Sequence, residues 1–150
     1  MRLGMSADQV RAAVASDVHT NARLERSVGP EPGSERLKYY GTGETIALLF
    51  WDNHLIDIKV ELDLPSPGDA DAYLEKMRST FGPETRADWR NEHGLEQRTF
   101  YWEADSARVS LFRSAPLTFL HFEDVPGLAR MARESRLPLP PRKQETPGLE

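Results

Sequence analysis

From Ile56 to Leu62 apolar residues alternate with Asp57, Lys59 and Glu61, the two-residue period of a strand with one buried face. Similar apolar stretches occur at "RLKYYG", "TIALLFW", "QRTFYWE", "ARVSLF" and "LTFLHFED", each bounded by turn residues. Two stretches follow a helical period instead. "MSADQVRAAV" offers Ser6 as N-cap and Val10, Ala13 and Val14 as one apolar stripe, while "LPSPGDADAYLEKMRSTFGPE" sets Leu74, Met77 and Phe81 on one face and stops at Gly82-Pro83. The polar segments "ASDVHTNARLERSVGPEPGSE" and Glu84 to Gly94 read as loops. "VPGLARMARESR" predicts a short terminal helix over 126–136, and "LPLPPRKQETPGLE" a Pro-rich flexible tail over 137–150. Within the tail, Pro138, Pro141 and Lys143 fit a PxxPx(K/R) spacing, although a solvated Pro-rich segment needs no such role.

The order helix, loop, three strands occurs twice. At an offset of 61 Tyr40 falls on Tyr101, Leu48 on Val109 and Phe50 on Leu111. One residue inserted at Pro116 makes the offset 62 and superposes Ile58 on Leu120 and Val60 on Phe122. Two tandem α-β-β-β repeats are therefore expected, 1–64 and 65–125, forming one domain. The expected fold is α+β, with a curved antiparallel sheet packed on the helices.

The chain has 150 residues, 39% hydrophobic and 29% charged, enough apolar surface for a packed core. A net charge of −5 opposes nucleic-acid binding. Absence of cysteine excludes disulfides, zinc–thiolate sites and a cysteine nucleophile. The longest apolar run, Ile46 to Trp51, is far shorter than the ~20 residues of a membrane span. "MRLGMSADQV" leads straight into the first helix without a signal-peptide core. A cytoplasmic protein is expected if the chain is native at that end, and a periplasmic or cell-envelope one if it is a trimmed mature domain.

"RLGMSADQV" opening a helix and "MRSTFGP" closing one, followed by aromatic-rich antiparallel strands, form a pattern that resembles the BamE/SmpA-like small outer-membrane lipoproteins. The tandem layout resembles β-lactamase inhibitor protein-like domains. The chain departs from both: its first helix lacks a following G-x-P, and it has neither a lipobox cysteine nor the inhibitors' paired cysteines. The resemblance implies a binding protein rather than an enzyme, making its contact through an exposed, aromatic-rich sheet face.

No zincin, nucleophile-elbow, P-loop or dinucleotide motif occurs, so no catalytic residue, cofactor or metal is expected. Asp52, His54 and Asp57 have metal-binding side chains, but Asp52-Asn53-His54 joins two strands, where Asp and Asn serve the turn itself. The aromatic residues carry more information. If Ile46, Leu48 and Phe50, with Ile56, Ile58 and Val60, face the core, then Trp51, Lys59, Phe112, Phe119 and His121 occupy the other face with Tyr101. Large aromatics among charges have the composition of an interface, unless another segment covers them. Trp51, Lys59, Tyr101, Phe112, Phe119 and His121 are accordingly the expected partner-binding residues of a non-enzymatic protein-binding module. A cytoplasmic small-ligand or regulatory domain is the alternative, and the oligomeric state is open.

Overall fold

A computed structural model of the chain describes residues 1–15, 23–29, 31–41 and 43–135. The tail expected over 137–150, with its PxxP spacing, lies outside the described residues, as does residue 136. Eight antiparallel strands form one sheet in the order β1-β2-β3-β4-β8-β7-β6-β5. The elements are α1 (Ala7–Ala15), β1 (Arg23–Val28), β2 (Ser34–Gly41), β3 (Glu44–Trp51), β4 (His54–Leu62), α2 (Pro67–Phe81), β5 (Arg86–Glu92), β6 (Leu95–Glu103), β7 (Ala107–Ser114), β8 (Leu117–Asp124) and α3 (Val125–Ser135). The α+β class and the antiparallel sheet are as the alternation predicts.

Each half holds four strands rather than three. The additional strands, β1 and β5, lie in segments expected to be loops, and they form the two edges of the sheet. Six of the seven β5 side chains are exposed, so this strand has no apolar alternation to reveal it. Main-chain pairing with β6, from Arg86↔Tyr101 to Glu92↔Leu95, defines it instead.

Both long-range helix starts are capped as the sequence implies. Ser6 Oγ accepts from Gln9 N at 3.2 Å and Gln9 Oε1 accepts from Ser6 N at 2.9 Å, a reciprocal capping box. Ser66 Oγ accepts from Asp69 N ahead of Pro67, and Gly82 ends α2 at φ 83° by donating to Arg78 O. Val10 of α1 and Leu74 and Met77 of α2 join Leu37, Tyr39, Leu48, Phe50, Leu55, Ile58, Val60, Trp102, Leu111 and Leu120 in the main core. Phe81 stays partly exposed at the end of α2, its ring 6.3 Å from that of Trp102.

Asp52 and Asn53 take positive φ values of 51° and 58°, the backbone of a two-residue hairpin turn matched to strand twist. Asn53 Oδ1 also accepts a bond from Ala7 N at 3.2 Å, and Leu55 exchanges main-chain bonds with Gly4 and Met5 at 2.8 Å each. The polar turn thus docks the start of α1 onto the sheet.

A register shift between Leu49 and Phe50 corrects the expected core. Leu49 opposes Asp57 and Phe50 opposes Leu55, leaving Ile56 as an extra residue in β4. Leu55 therefore enters the main core beside Phe50, and Ile56 turns to the opposite face. There Ile56, Trp51 and Met131 of α3 form a second cluster, with Leu49 and Leu128 packed against it. The sheet consequently carries α1 and α2 on one face and α3 on part of the other.

Candidate functional site

The face opposite α1 and α2, here the outer face, divides into a region that α3 covers and one that no described element covers. Trp51 has the expected phase but not the expected exposure: only 9% of its surface remains accessible beneath α3. Gly33, at φ 84°, lets the chain approach the indole, since a Cβ there would sit 3.1 Å from the ring. The Trp51 Nε1 is buried without a hydrogen-bond partner. Trp51 is a packing residue in this structure, because α3 provides the cover that its apolar ring requires.

Tyr101, Phe112, Phe119 and His121 are half-buried on the same face, and Lys59 is exposed. Phe112 and Phe119 are direct cross-strand partners on β7 and β8, with ring centroids 6.1 Å apart at 41°. The Lys59 ammonium lies 5.0 Å from the Phe119 ring and the Arg86 guanidinium 3.7 Å from the Tyr101 ring. A small depression of about 160 Å³ separates Tyr101 from Phe112, lined also by Asp88, Arg90, Gln97 and Thr99. A row of aromatic rings therefore runs across β6, β7 and β8, braced from β4 by Lys59 and from β5 by Arg86.

Beside it lies an ionic network. His121 Nε2 is 2.6 Å from Asp57 Oδ1, and its Nδ1 is 3.9 Å from Glu123 Oε1. Arg108 forks onto Glu123, donating from Nε at 2.7 Å and from Nη2 at 3.1 Å. Burial pushes the Glu123 carboxyl up, but the Arg108 bonds and the neighbouring His121 outweigh it, holding the group below its ordinary range. The same pairing raises Arg108. Asp57, His121 and Glu123 each bring a potential metal-ligand atom within 4.8 Å of the others. With Arg108 forked onto Glu123 and His121 bonded to Asp57, the group stands as a hydrogen-bonded charge network on the sheet. Asp57↔Glu123 are cross-strand neighbours, and the counter-charges offset the repulsion between them.

Asp52 and His54, the other candidates for chemistry, are exposed; His54 Nδ1 sits 2.7 Å from the Asp52 carbonyl oxygen, a contact internal to the turn. Asp57, further along β4 on the outer face, bonds His121 rather than either of them. The Arg108–Glu123 fork and the Arg86–Tyr101 stack have no local motif. Each depends on which strands are neighbours.

A larger cleft, of about 780 Å³, opens on the helix side between the start of α2, the β5–β6 turn and the β7–β8 turn. Arg98, Arg113 and Asp71 line it with Leu95 and Pro116, and Arg113 donates to Asp71 at 2.7 Å. Among the described residues no helix is long and apolar enough to cross a membrane.

In comparisons with known proteins, no protein-family model, no curated protein and no solved structure matches the chain.

Proposed function

We propose that the chain is a non-enzymatic protein-binding module whose contact surface is the uncovered part of the outer face: Tyr101, Phe112, Phe119, Lys59 and His121. The observation that carries this reading is the aromatic row on a face that no described element covers, with cations braced against its rings. Aromatic rings lose little side-chain freedom on binding and bring large contact areas, as interface anchors do. Trp51 supports the surface from beneath α3 and is not part of the contact.

We also read the two halves as a tandem repeat, each a helix followed by a four-strand meander. β4 and β8 pair about Lys59↔His121, the two residues that the 62-residue offset superposes. Internal two-fold symmetry requires this register. With it stands the likeness to β-lactamase inhibitor protein-like and BamE-like proteins, and a place in the cell envelope would follow from that likeness.

The test is capture from a lysate by immobilised wild-type chain and by a Tyr101→Ala, Phe112→Ala double variant that retains its far-UV circular dichroism. Loss of a specific captured protein supports the reading; undiminished capture refutes it. A second reading, a small-ligand domain, draws on the 780 Å³ cleft, whose size is that of a ligand pocket. It predicts metabolite-dependent thermal stabilisation that Arg98→Ala removes.

A further inference from the structure

The edge strand β5 ends the sheet, so one side of its backbone presents amide and carbonyl groups to no other strand among the described residues. Its sequence is Arg86-Ala87-Asp88-Trp89-Arg90-Asn91-Glu92. Trp89 is 66% exposed at the centre of this strand. Pairing with β6 puts Arg86, Asp88, Arg90 and Glu92 on the outer face, beside Tyr101, Thr99, Gln97 and Leu95 respectively, and Trp89 on the helix side opposite Arg98.

Charged side chains on an edge strand ordinarily oppose pairing with another strand. The order of signs in β5 makes them select a register instead. Two copies placed antiparallel about an axis through Trp89 would bring Arg86 opposite Glu92 and Asp88 opposite Arg90. By symmetry both pairs occur twice. Trp89 meets its own counterpart on the axis, flanked by Ala87 opposite Asn91. An axis perpendicular to the sheet preserves faces, so alternative registers shift the pairing in steps of two residues and the axis in steps of one. An axis through Asp88 pairs Arg86 with Arg90 and Asp88 with itself. An axis through Arg90 pairs Asp88 with Glu92 and Arg90 with itself. Axes through Ala87 or Asn91 each match a single couple of the strand's charges, Arg86 with Asp88 or Arg90 with Glu92, so the Trp89 register alone matches all four with their opposites.

We infer that β5 is a self-complementary interface through which a second copy of this chain joins the two eight-stranded sheets edge to edge. Such an interface is isologous and closed, so it stops at a dimer rather than growing into a fibre. Arg90 and Glu92 make no ion pair among the described residues, leaving both available for the second copy. Arg86 already bonds Asp88 at 2.7 Å and Glu103 at 3.4 Å, so in the dimer Arg86 and Asp88 would be shared with Glu92 and Arg90 of the second copy. The inference is independent of any contact made by Tyr101 or Phe112.

Sedimentation equilibrium of the full chain tests it. A species of twice the 17.0 kDa chain mass is expected, in concentration-dependent equilibrium with the monomer. Arg90→Glu alone, and Asp88→Arg alone, each place like charges opposite one another twice and should weaken the dimer by about tenfold or more. An equimolar mixture of the two variants restores opposite charges at both positions and should restore the dimer. Should Asp88→Arg fail to fold, Trp89→Lys, at an exposed position, sets like charges against each other on the axis and should give the same loss. A 17.0 kDa monomer at all concentrations, a dimer indifferent to Arg90→Glu and Trp89→Lys, or a folded mixture that stays monomeric overturns the inference.

Discussion

Replacing Trp51 by Ala separates the packing role of this residue from a binding role. The side chain is 9% exposed and packs with Ile56 and Met131, against which Leu49 and Leu128 lie. Truncating a buried Trp typically costs about 3–5 kcal/mol through lost burial and the cavity left behind. Against this stands the indole Nε1, buried with no partner, whose removal relieves a desolvation penalty of about 1–3 kcal/mol. Taking the middle of each range, the balance is a net loss of about 2 kcal/mol, a sizeable part of the stability of an ordinary domain. Urea titration followed by far-UV circular dichroism measures it, with an unchanged slope confirming that the folded and unfolded states are comparable. Because Met131 belongs to the same small cluster, a double-mutant cycle with Met131→Ala should show coupling of about 0.5–3 kcal/mol. Phe112→Ala, at a half-buried position on the uncovered face, should cost about 1 kcal/mol. A Trp51→Ala loss below about 1 kcal/mol, or Trp51 and Met131 effects that simply add, would refute the docking of α3 on the outer face and return Trp51 to the contact surface.

Three further outcomes follow from the same geometry. A Cβ at Gly127 would come within 2.9 Å of Ile56 Cγ2 and 2.5 Å of Asp124 Oδ2, so Gly127→Ala should destabilise by about 1–3 kcal/mol by forcing α3 off β4, read as a lowered urea midpoint. Asn53→Gly keeps the positive-φ turn but loses the bond to Ala7 N; a loss of about 1 kcal/mol is expected, and Asn53→Ala should lose more, since it adds backbone strain at φ 58°. The Glu123 carboxyl titrates below its ordinary value of 4.5, so its contribution is fully present above that pH and disappears as pH falls through the lower folded-state value. Melting temperatures measured from pH 6 down to about pH 2 should therefore fall less steeply below pH 4.5 in Glu123→Gln than in wild type.

Local periodicity carried much of this molecule. The helix starts at Ser6 and Ser66, the stop at Gly82 and six of the eight strands are legible in the chain, because capping and two-residue alternation are properties of neighbouring residues. The outward phase of Tyr101, Phe112, Phe119, His121 and Lys59 was legible for the same reason. Other features depend on residues far apart in sequence. β5 has no buried face to mark it, and both β1 and β5 are defined by main-chain pairing with β2 and β6. The bulge at Leu49/Phe50 exchanges Leu55 and Ile56 between faces, which an uninterrupted alternation cannot anticipate. Asp57, His121, Glu123 and Arg108 meet only because β4 lies beside β8 and β8 beside β7. Alternation assigns a side chain to one face of a strand, but what covers that face is decided by strand order and helix docking. Phe112 and Trp51 share a phase, and the fold leaves one on the uncovered face and buries the other beneath α3.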